Sequence, residues 1–299
     1  MSAGGSGGAP SDDRIGFIGL GAMGVGMAKN VVQAGYPLQV MGHTRREPIE
    51  RLVGLGATEV DNARQMGERV DVVVLCVTTS EVVESLISGP DGLLAGDHGK
   101  LLVIDCGTSN PTSTQAMGEA LTAAGCSLMD VPLGRSAAAA EDGTLNMMAG
   151  GSEADFARAQ PLLGCMSENL FHLGPLGTGH TIKLLNNAYS MSVAALGAQV
   201  VAAARAGGVD VAQLNQVMAA GPNRSDFFDW MMAAAVDGDA TKLDFALKNG
   251  LKDVGYFNDL ASSLGVASTL PQAAEAVLRE AVDAGHGDAP VPSLLLADR

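Results

Sequence analysis

Residues 14–36, RIGFIGLGAMGVGMAKNVVQAGY, decide the fold. A short apolar run, Ile15 to Ile18, leads into Gly19, Gly21 and Gly24, and an apolar-periodic stretch follows as far as Gly35. Strand, G-x-G-x-x-G and helix in that order have a mechanism. The glycines allow a tight turn and close backbone approach, and the amide groups at the helix start receive a pyrophosphate. Gly19, Gly21, Ala22, Met23 and Gly24 are therefore expected against a dinucleotide. A merely tight turn is the plainer alternative, but strand, glycines and helix all agree with the dinucleotide fingerprint.

The next strand, expected over Pro37 to Met41, ends at the position where a carboxylate would bind the ribose hydroxyls of NAD. Here that position is Gly42, followed by His43, Thr44, Arg45 and Arg46. A small residue, a hydroxyl and two guanidinium groups suit the 2'-phosphate of NADP, with NAD as the alternative cofactor. Ordinary solvated charges would also account for two arginines.

Further out, strands are expected near residues 57–60, 71–77, 101–105, 127–131 and 145–149, with helices over 110–124 and 152–163. The run DVVVLCV at 71–77 has the continuous apolar character of a parallel strand covered on both faces. Asn110 and Pro111 read as a helix cap and first turn. The pattern is α/β, a Rossmann-type doubly wound parallel sheet. Beyond Gly177 only helical periodicity is read, so an all-α domain should follow, joined by a long helix from about His180 to Ala206. The expected organisation is a flexible leader over 1–13, a dinucleotide-binding domain over 14–175 and a helical substrate and dimerisation domain over 176–299.

Composition narrows the function. A formal net charge of −15 over 299 residues argues against nucleic acid, whose phosphates call for a basic face. No apolar run reaches the ~18 residues a membrane helix requires. The opening MSAGGSGGAP lacks the basic start and apolar core of a secretory signal, so the protein is expected in the cytoplasm. The four cysteines and five histidines have neither zinc nor redox spacing, so no metal is expected and the thiols read as buried or incidental.

The stretch GTGHTIKLLNNAYS, 177–190, carries the candidate chemistry. Lys183, Asn186, Asn187 and Ser190 stand three, four and seven residues apart, along one face of a helix, among Leu184, Leu185, Ala188 and Met191. A polar stripe within an apolar helix needs partners or a ligand, because unpaired buried polar groups are costly. A solvated helix face is the plain alternative. In open α/β sheets ligands bind beyond the carboxyl ends of the strands, which this helix follows directly.

With these motifs in order the chain resembles the β-hydroxyacid dehydrogenases, the family of 3-hydroxyisobutyrate dehydrogenase. The matching stretches are GFIGLGAMG at 16–24, MDVPLGRSAAAAEDGTLNMMAGG at 129–151, KLLNN at 183–187 and LKDVGY at 251–256. The resemblance implies an enzyme with a Rossmann-type domain and a helical domain used for dimerisation, as a homodimer or homotetramer. It makes Lys183 the catalytic lysine and Asn187 its neighbouring amide. It also puts Lys252 beside both nicotinamide and substrate; Thr108, beyond the strand at 101–105, is expected to line the nicotinamide site. Gly134, Arg135 and Ser136 replace the Ser-Gly-Gly of many relatives and look like the sulfolactaldehyde reductase branch, where the arginine, the first asparagine and a serine hold a sulfonate. Those roles fall on Arg135, Asn186 and Ser190. The plain reading of Arg135 is an ion pair with Glu141 or Asp142.

The expected activity is interconversion of a short aldehyde acid and its primary alcohol, with 3-sulfolactaldehyde as the leading substrate. The alternatives are 3-hydroxyisobutyrate, 4-hydroxybutyrate or tartronate semialdehyde. An imine reductase shares the fold, but such relatives generally replace the lysine. A dinucleotide-binding protein without turnover is the reading from outside enzymology.

Overall fold

A computed structural model describes residues 12–42 and 45–296; most of the expected leader, as well as His43 and Thr44, lies outside the described residues. By compactness the chain divides between Lys183 and Leu184.

The first unit opens with β1 (Ile15–Ile18), α1 (Gly24–Gln33), β2 (Leu38–Met41), α2 (Glu47–Gly54), β3 (Thr58–Glu59), α3 (Ala63–Arg69), β4 (Val72–Leu75) and α4 (Ser80–Ser88). It continues with β5 (Leu102–Asp105), α5 (Pro111–Ala123), β6 (Ser127–Asp130), β7 (Leu133–Gly134), α6 (Ala137–Asp142), β8 (Leu145–Gly150), α7 (Glu153–Gly164) and β9 (Ser167–Gly174). Strand order is β3-β2-β1-β4-β5-β6-β8-β7, with β9 beside β8.

The first six strands in that order are parallel neighbours, the doubly wound core that the apolar runs predict. Alternation explains why those runs are continuous. On β4, Val72 and Val74 enter one hydrophobic cluster while Val73 and Leu75 enter another. Each face is thus covered, and each such side chain contributes on the order of 1.5–3 kcal/mol through burial. Asn110 caps α5 by accepting from Thr112 N at 3.0 Å, with Pro111 as the first helical residue.

The sheet departs from the expected parallel pattern at its far edge. β8 is antiparallel to both β6 and β7. Only ten residues separate Gly134 from Leu145, too few for the crossover of roughly a dozen or more residues that a parallel return needs. β9 then pairs parallel with β8. Neither β9 nor α6 is expected from the sequence, since SENLFHLG mixes polar and apolar residues and AAAAED is less than two turns.

Glu141 on α6 ties together α1 and α2. Its carboxylate lies 2.5 Å from Arg51 and 3.0 Å from Lys29, and these partners, Arg51 foremost, hold its pKa down at about 2.

α8 (Thr178–Ala206) starts two residues before the expected His180 and carries Lys183 as the last residue of the first unit. The second unit contains the rest of α8, then α9 (Val211–Ala219), α10 (Asp226–Asp237), α11 (Leu247–Ser263) and α12 (Thr269–Ala281). Its core includes Met191, Ala194, Val201, Met231, Leu247, Val254 and Leu278. Beyond Gly174, apart from a single bridge between Ala246 and Pro290, no strand occurs among the described residues. Among those residues no helix is long and apolar enough to cross a membrane.

Candidate active site

The glycine turn is shaped by close approaches. Gly19 has φ of +100°, in the left-handed region that favours glycine, and a Cβ there would lie 2.2 Å from the Cys76 carbonyl oxygen. A Cβ on Gly24 would lie 1.9 Å from the Gly19 carbonyl oxygen, which packs the turn onto the start of α1. A Cβ on Gly21 would meet nothing within 4 Å, so that side of the turn is open to a ligand. α1 begins at Met23 and Gly24 with no side-chain cap and no acid in its first turn. Its amide groups and the positive end of its dipole therefore suit a pyrophosphate, and the residues present fit a dinucleotide.

At the end of β2, a Cβ on Gly42 would lie 1.8 Å from Ile49 Cδ1. The space that an acid would occupy is thus filled by the buried tip of Ile49. Thr44 lies outside the described residues. Arg46 forks onto Glu59 at 2.6 and 2.9 Å, and Arg45 reaches Glu47 at 3.4 Å. Both pairs are on the surface, where such contacts are weak and readily exchanged.

Beyond β5 and β6 the structure gathers buried polar groups that sequence spacing does not disclose. Asp105 ends β5, and its oxygens accept from Gly107 N at 2.8 Å and Ser109 Oγ at 2.7 Å, fixing the loop that carries half-buried Thr108. Asp130 ends β6 and accepts from Gly177 N and His180 N, both at 2.7 Å, so it seats the first turn of α8. The turn lies close to the sheet: a Cβ on Gly179 would come 2.2 Å from the Met148 carbonyl oxygen. Burial pushes the Asp130 carboxyl above its ordinary range, while neighbouring His180 and the two amide groups pull it down. His180 is fully buried, with Nδ1 2.8 Å from Thr114 Oγ1.

In the stretch expected as a binding loop, the side chains have partners within the first unit. Arg135 has φ of +76°, unusual for a residue with a side chain. Its guanidinium donates to the Thr144 carbonyl oxygen at 2.7 Å and to Glu168. The ion-pair partner is therefore neither Glu141 nor Asp142, since Glu141 is held by Arg51 and Lys29 and Glu168 arrives on β9. Gly134 pairs with Asn146 on β8, and the Ser136 hydroxyl caps α6 by accepting from Ala139 N.

Along α8, Lys183 is half-buried, Asn187 is buried, Asn186 is exposed and Ser190 is half-buried. Of the apolar residues around them, Leu184, Ala188 and Met191 are buried and Leu185 is exposed. Asn187 Nδ2 donates to Asp253 Oδ2 at 2.6 Å, and Asn186 Nδ2 donates to Asn187 Oδ1 at 3.2 Å. Ser190 Oγ donates to the Asn186 carbonyl oxygen at 3.1 Å, within its own helix. Lys252 Nζ lies 2.8 Å from Asp253 Oδ1, an ion pair without hydrogen-bond alignment, and 4.8 Å above the Tyr256 ring. Asp253, 2% exposed, thus holds both the amide and the second lysine.

The cysteines are all unpaired, and burial pushes the Cys76 and Cys165 thiols up to about 12, far from nucleophilic use. No metal-holding cluster of His, Cys, Asp or Glu occurs among the described residues.

Residues 14–174 match the family described as the NAD binding domain of 6-phosphogluconate dehydrogenase, and residues 177–295 match the NAD-binding domain of NADP-dependent 3-hydroxyisobutyrate dehydrogenase. The chain belongs to the β-hydroxyacid dehydrogenase family. As a β-hydroxyacid dehydrogenase it is an NAD(P)-dependent oxidoreductase. It is 39% identical to a 3-hydroxyisobutyrate dehydrogenase of Pseudomonas aeruginosa over 204 residues, 68% of each chain. It is 32% identical to a 3-sulfolactaldehyde reductase of Escherichia coli over 274 residues, 91% of each chain. Among solved structures, a 3-hydroxyisobutyrate dehydrogenase from Salmonella typhimurium superposes with a TM-score of 0.81 at 27% identity, covering 95% of this chain and 99% of that one.

Proposed function

We propose that this dehydrogenase interconverts a short aldehyde acid and its primary alcohol with NADP, and that Lys183 is the proton donor. The observation that carries the proposal is on α8: Lys183 stands one helical turn before a buried Asn187 that Asp253 holds at 2.6 Å. When bound, the nicotinamide supplies hydride transfer to or from the carbon that carries the oxygen. Lys183 gives a proton to the carbonyl oxygen in reduction and takes one from the alcohol in oxidation. Asn187 orients the oxygen or the lysine, and Lys252, beside Asp253, attracts the anionic end of the substrate. The glycine turn at 19–24 holds the pyrophosphate and Thr108 lines the nicotinamide. In this proposal residues 14–175 form the dinucleotide domain and residues 176–299 the substrate and dimerisation domain. A homodimer or homotetramer is supported by exposed Leu185, Tyr189, Val193 and Leu196, which recur along α8 as an apolar stripe.

The NADP preference is supported by the filled space at Gly42 and by two arginines whose acidic partners are surface groups that a 2'-phosphate displaces at small cost. NADPH is expected to bind more tightly than NADH, and replacing Arg45 and Arg46 together by Ala weakens NADPH selectively, on the order of tenfold. Fluorescence titration with both cofactors measures this; an equal loss for both rejects it.

The leading substrate is 3-sulfolactaldehyde. Three sulfonate oxygens match Arg135, Asn186 and Ser190, provided that the anion draws Arg135 from Glu168, which is more than half exposed. The expected order of kcat/KM in an NADPH absorbance assay is sulfolactaldehyde, carboxylated semialdehydes, then uncharged aldehydes. Arg135→Gly keeps the backbone, because φ of +76° suits glycine, and lowers kcat/KM for the sulfonate by about tenfold while changing the carboxylates little. The ion pair to Glu168 favours the second reading, a 3-hydroxyisobutyrate, 4-hydroxybutyrate or tartronate semialdehyde oxidoreductase. That reading wins if the carboxylated substrates lead in the unmodified protein.

A further inference from the structure

His180 is the least explained side chain in the first unit. It is fully buried, and its ring faces two buried carboxylates: Nε2 is 3.7 Å from Asp105 Oδ2 and Nδ1 is 3.8 Å from Asp130 Oδ2. Thr114 on α5 provides the one hydrogen bond to the ring. The Thr114 hydroxyl donates to the Asn110 carbonyl oxygen at 3.2 Å, so toward His180 it accepts, and Nδ1 is the donor. Nε2 has no hydrogen-bond partner. An apolar side chain would fill the same space without the penalty of burying a polar ring. The ring touches three separate pieces of chain: the end of β5, the end of β6 and the first turn of α5. It sits itself in the first turn of α8, three residues before Lys183.

We infer that His180 is a positioning residue for the reaction, tying the first turn of α8 to α5 as its ring packs against the ends of β5 and β6, and thereby setting the direction in which Lys183 leaves the helix. The inference rests on Lys183 being the proton donor. Asp130 anchors the backbone of this turn through the Gly177 and His180 amides. The ring adds what the backbone bonds lack, a restraint on rotation about the helix axis. The ring also lies against Asp105, which holds Gly107 and Ser109 in the loop of Thr108. The turn that carries the lysine and the loop expected at the nicotinamide thus border one buried point. Small misplacements of a reacting group cost up to ~10²-fold in rate, so such a restraint acts on turnover more than on affinity.

The test is a double-mutant cycle on the full-length protein with NADPH. His180→Leu should lower kcat by about 10- to 10²-fold while KM and the dinucleotide Kd stay within about twofold. His180→Asn, which keeps a donor near Nδ1, should restore most of the loss. In the Lys183→Ala background, His180→Leu should change the residual rate by less than about twofold, because a residue that acts through the lysine has nothing left to position. If His180→Leu does not fold, Thr114→Val, which removes the ring's hydrogen bond, takes its place in the same cycle. An unchanged kcat in His180→Leu, or equal losses with and without Lys183, overturns the inference while leaving the lysine's role intact. Full turnover in Lys183→Ala alone rejects the lysine's role first, and the positioning role with it.

Discussion

Lys183→Ala is expected to lower kcat by about 10²- to 10⁴-fold and to leave NADPH and substrate binding nearly unchanged, the range for removal of a positioned general acid. The physical ground is that a proton donor, the role proposed for Lys183, acts on an oxygen whose charge develops only as the reaction proceeds, so its contribution is to the transition state rather than to ground-state affinity. Truncation should not harm the fold. Lys183 is only half-buried, and its neighbours Leu184 and Ala188, not the lysine, fill the buried side of α8. Steady-state kinetics by NADPH absorbance, with cofactor Kd from fluorescence, separate the outcomes. A variant that loses affinity and keeps kcat would make Lys183 a binding residue.

The second large effect is expected at Asp253. Asp253→Ala leaves the buried Asn187 amide without its 2.6 Å acceptor and Lys252 without its counterion. An unsatisfied buried donor costs about 1–3 kcal/mol, so stability falls measurably and kcat/KM drops by roughly 10²-fold as the amide reorients. Asp253→Asn divides the two roles. It keeps an oxygen for Asn187 but removes the charge beside Lys252, so most of the stability and kcat should survive, with a loss in kcat/KM of less than about tenfold. Thermal melts with kinetics on both variants provide the check. Equal damage from both substitutions would assign the effect to the charge and not to the amide.

The parts of this molecule that could be read in the sequence are those whose physics is local. The first strand, the glycine turn and α1 are contiguous, β4 announces its two-sided burial by an unbroken apolar run, and the polar face of α8 follows from helical periodicity. What stayed hidden depends on distant partners. Asp105, Asp130 and His180 converge from three places in the chain; the apolar runs around the two acids mark their strands, but nothing local marks the three as neighbours. Arg135 finds Glu168 on a strand whose mixed polarity conceals it, and Asp253 meets Asn187 across 66 positions. The spacing of His180 ahead of the lysine, in a stretch otherwise built of glycine and small residues, was the available hint. The antiparallel turn of β8 was hidden for a different reason: it follows from a connection length, which only becomes informative once β7 is known.

If the proposed NADP preference holds, the closeness of Ile49 to Gly42 makes that preference hard to change in single steps. An acid introduced at position 42 gains nothing while the isoleucine tip occupies its space, and shortening Ile49 first opens a hole beneath α2 with no ligand group to use it. Neither single step improves the protein, so a lineage or an engineer moving toward the other dinucleotide must cross a valley in which both intermediates are worse than the start.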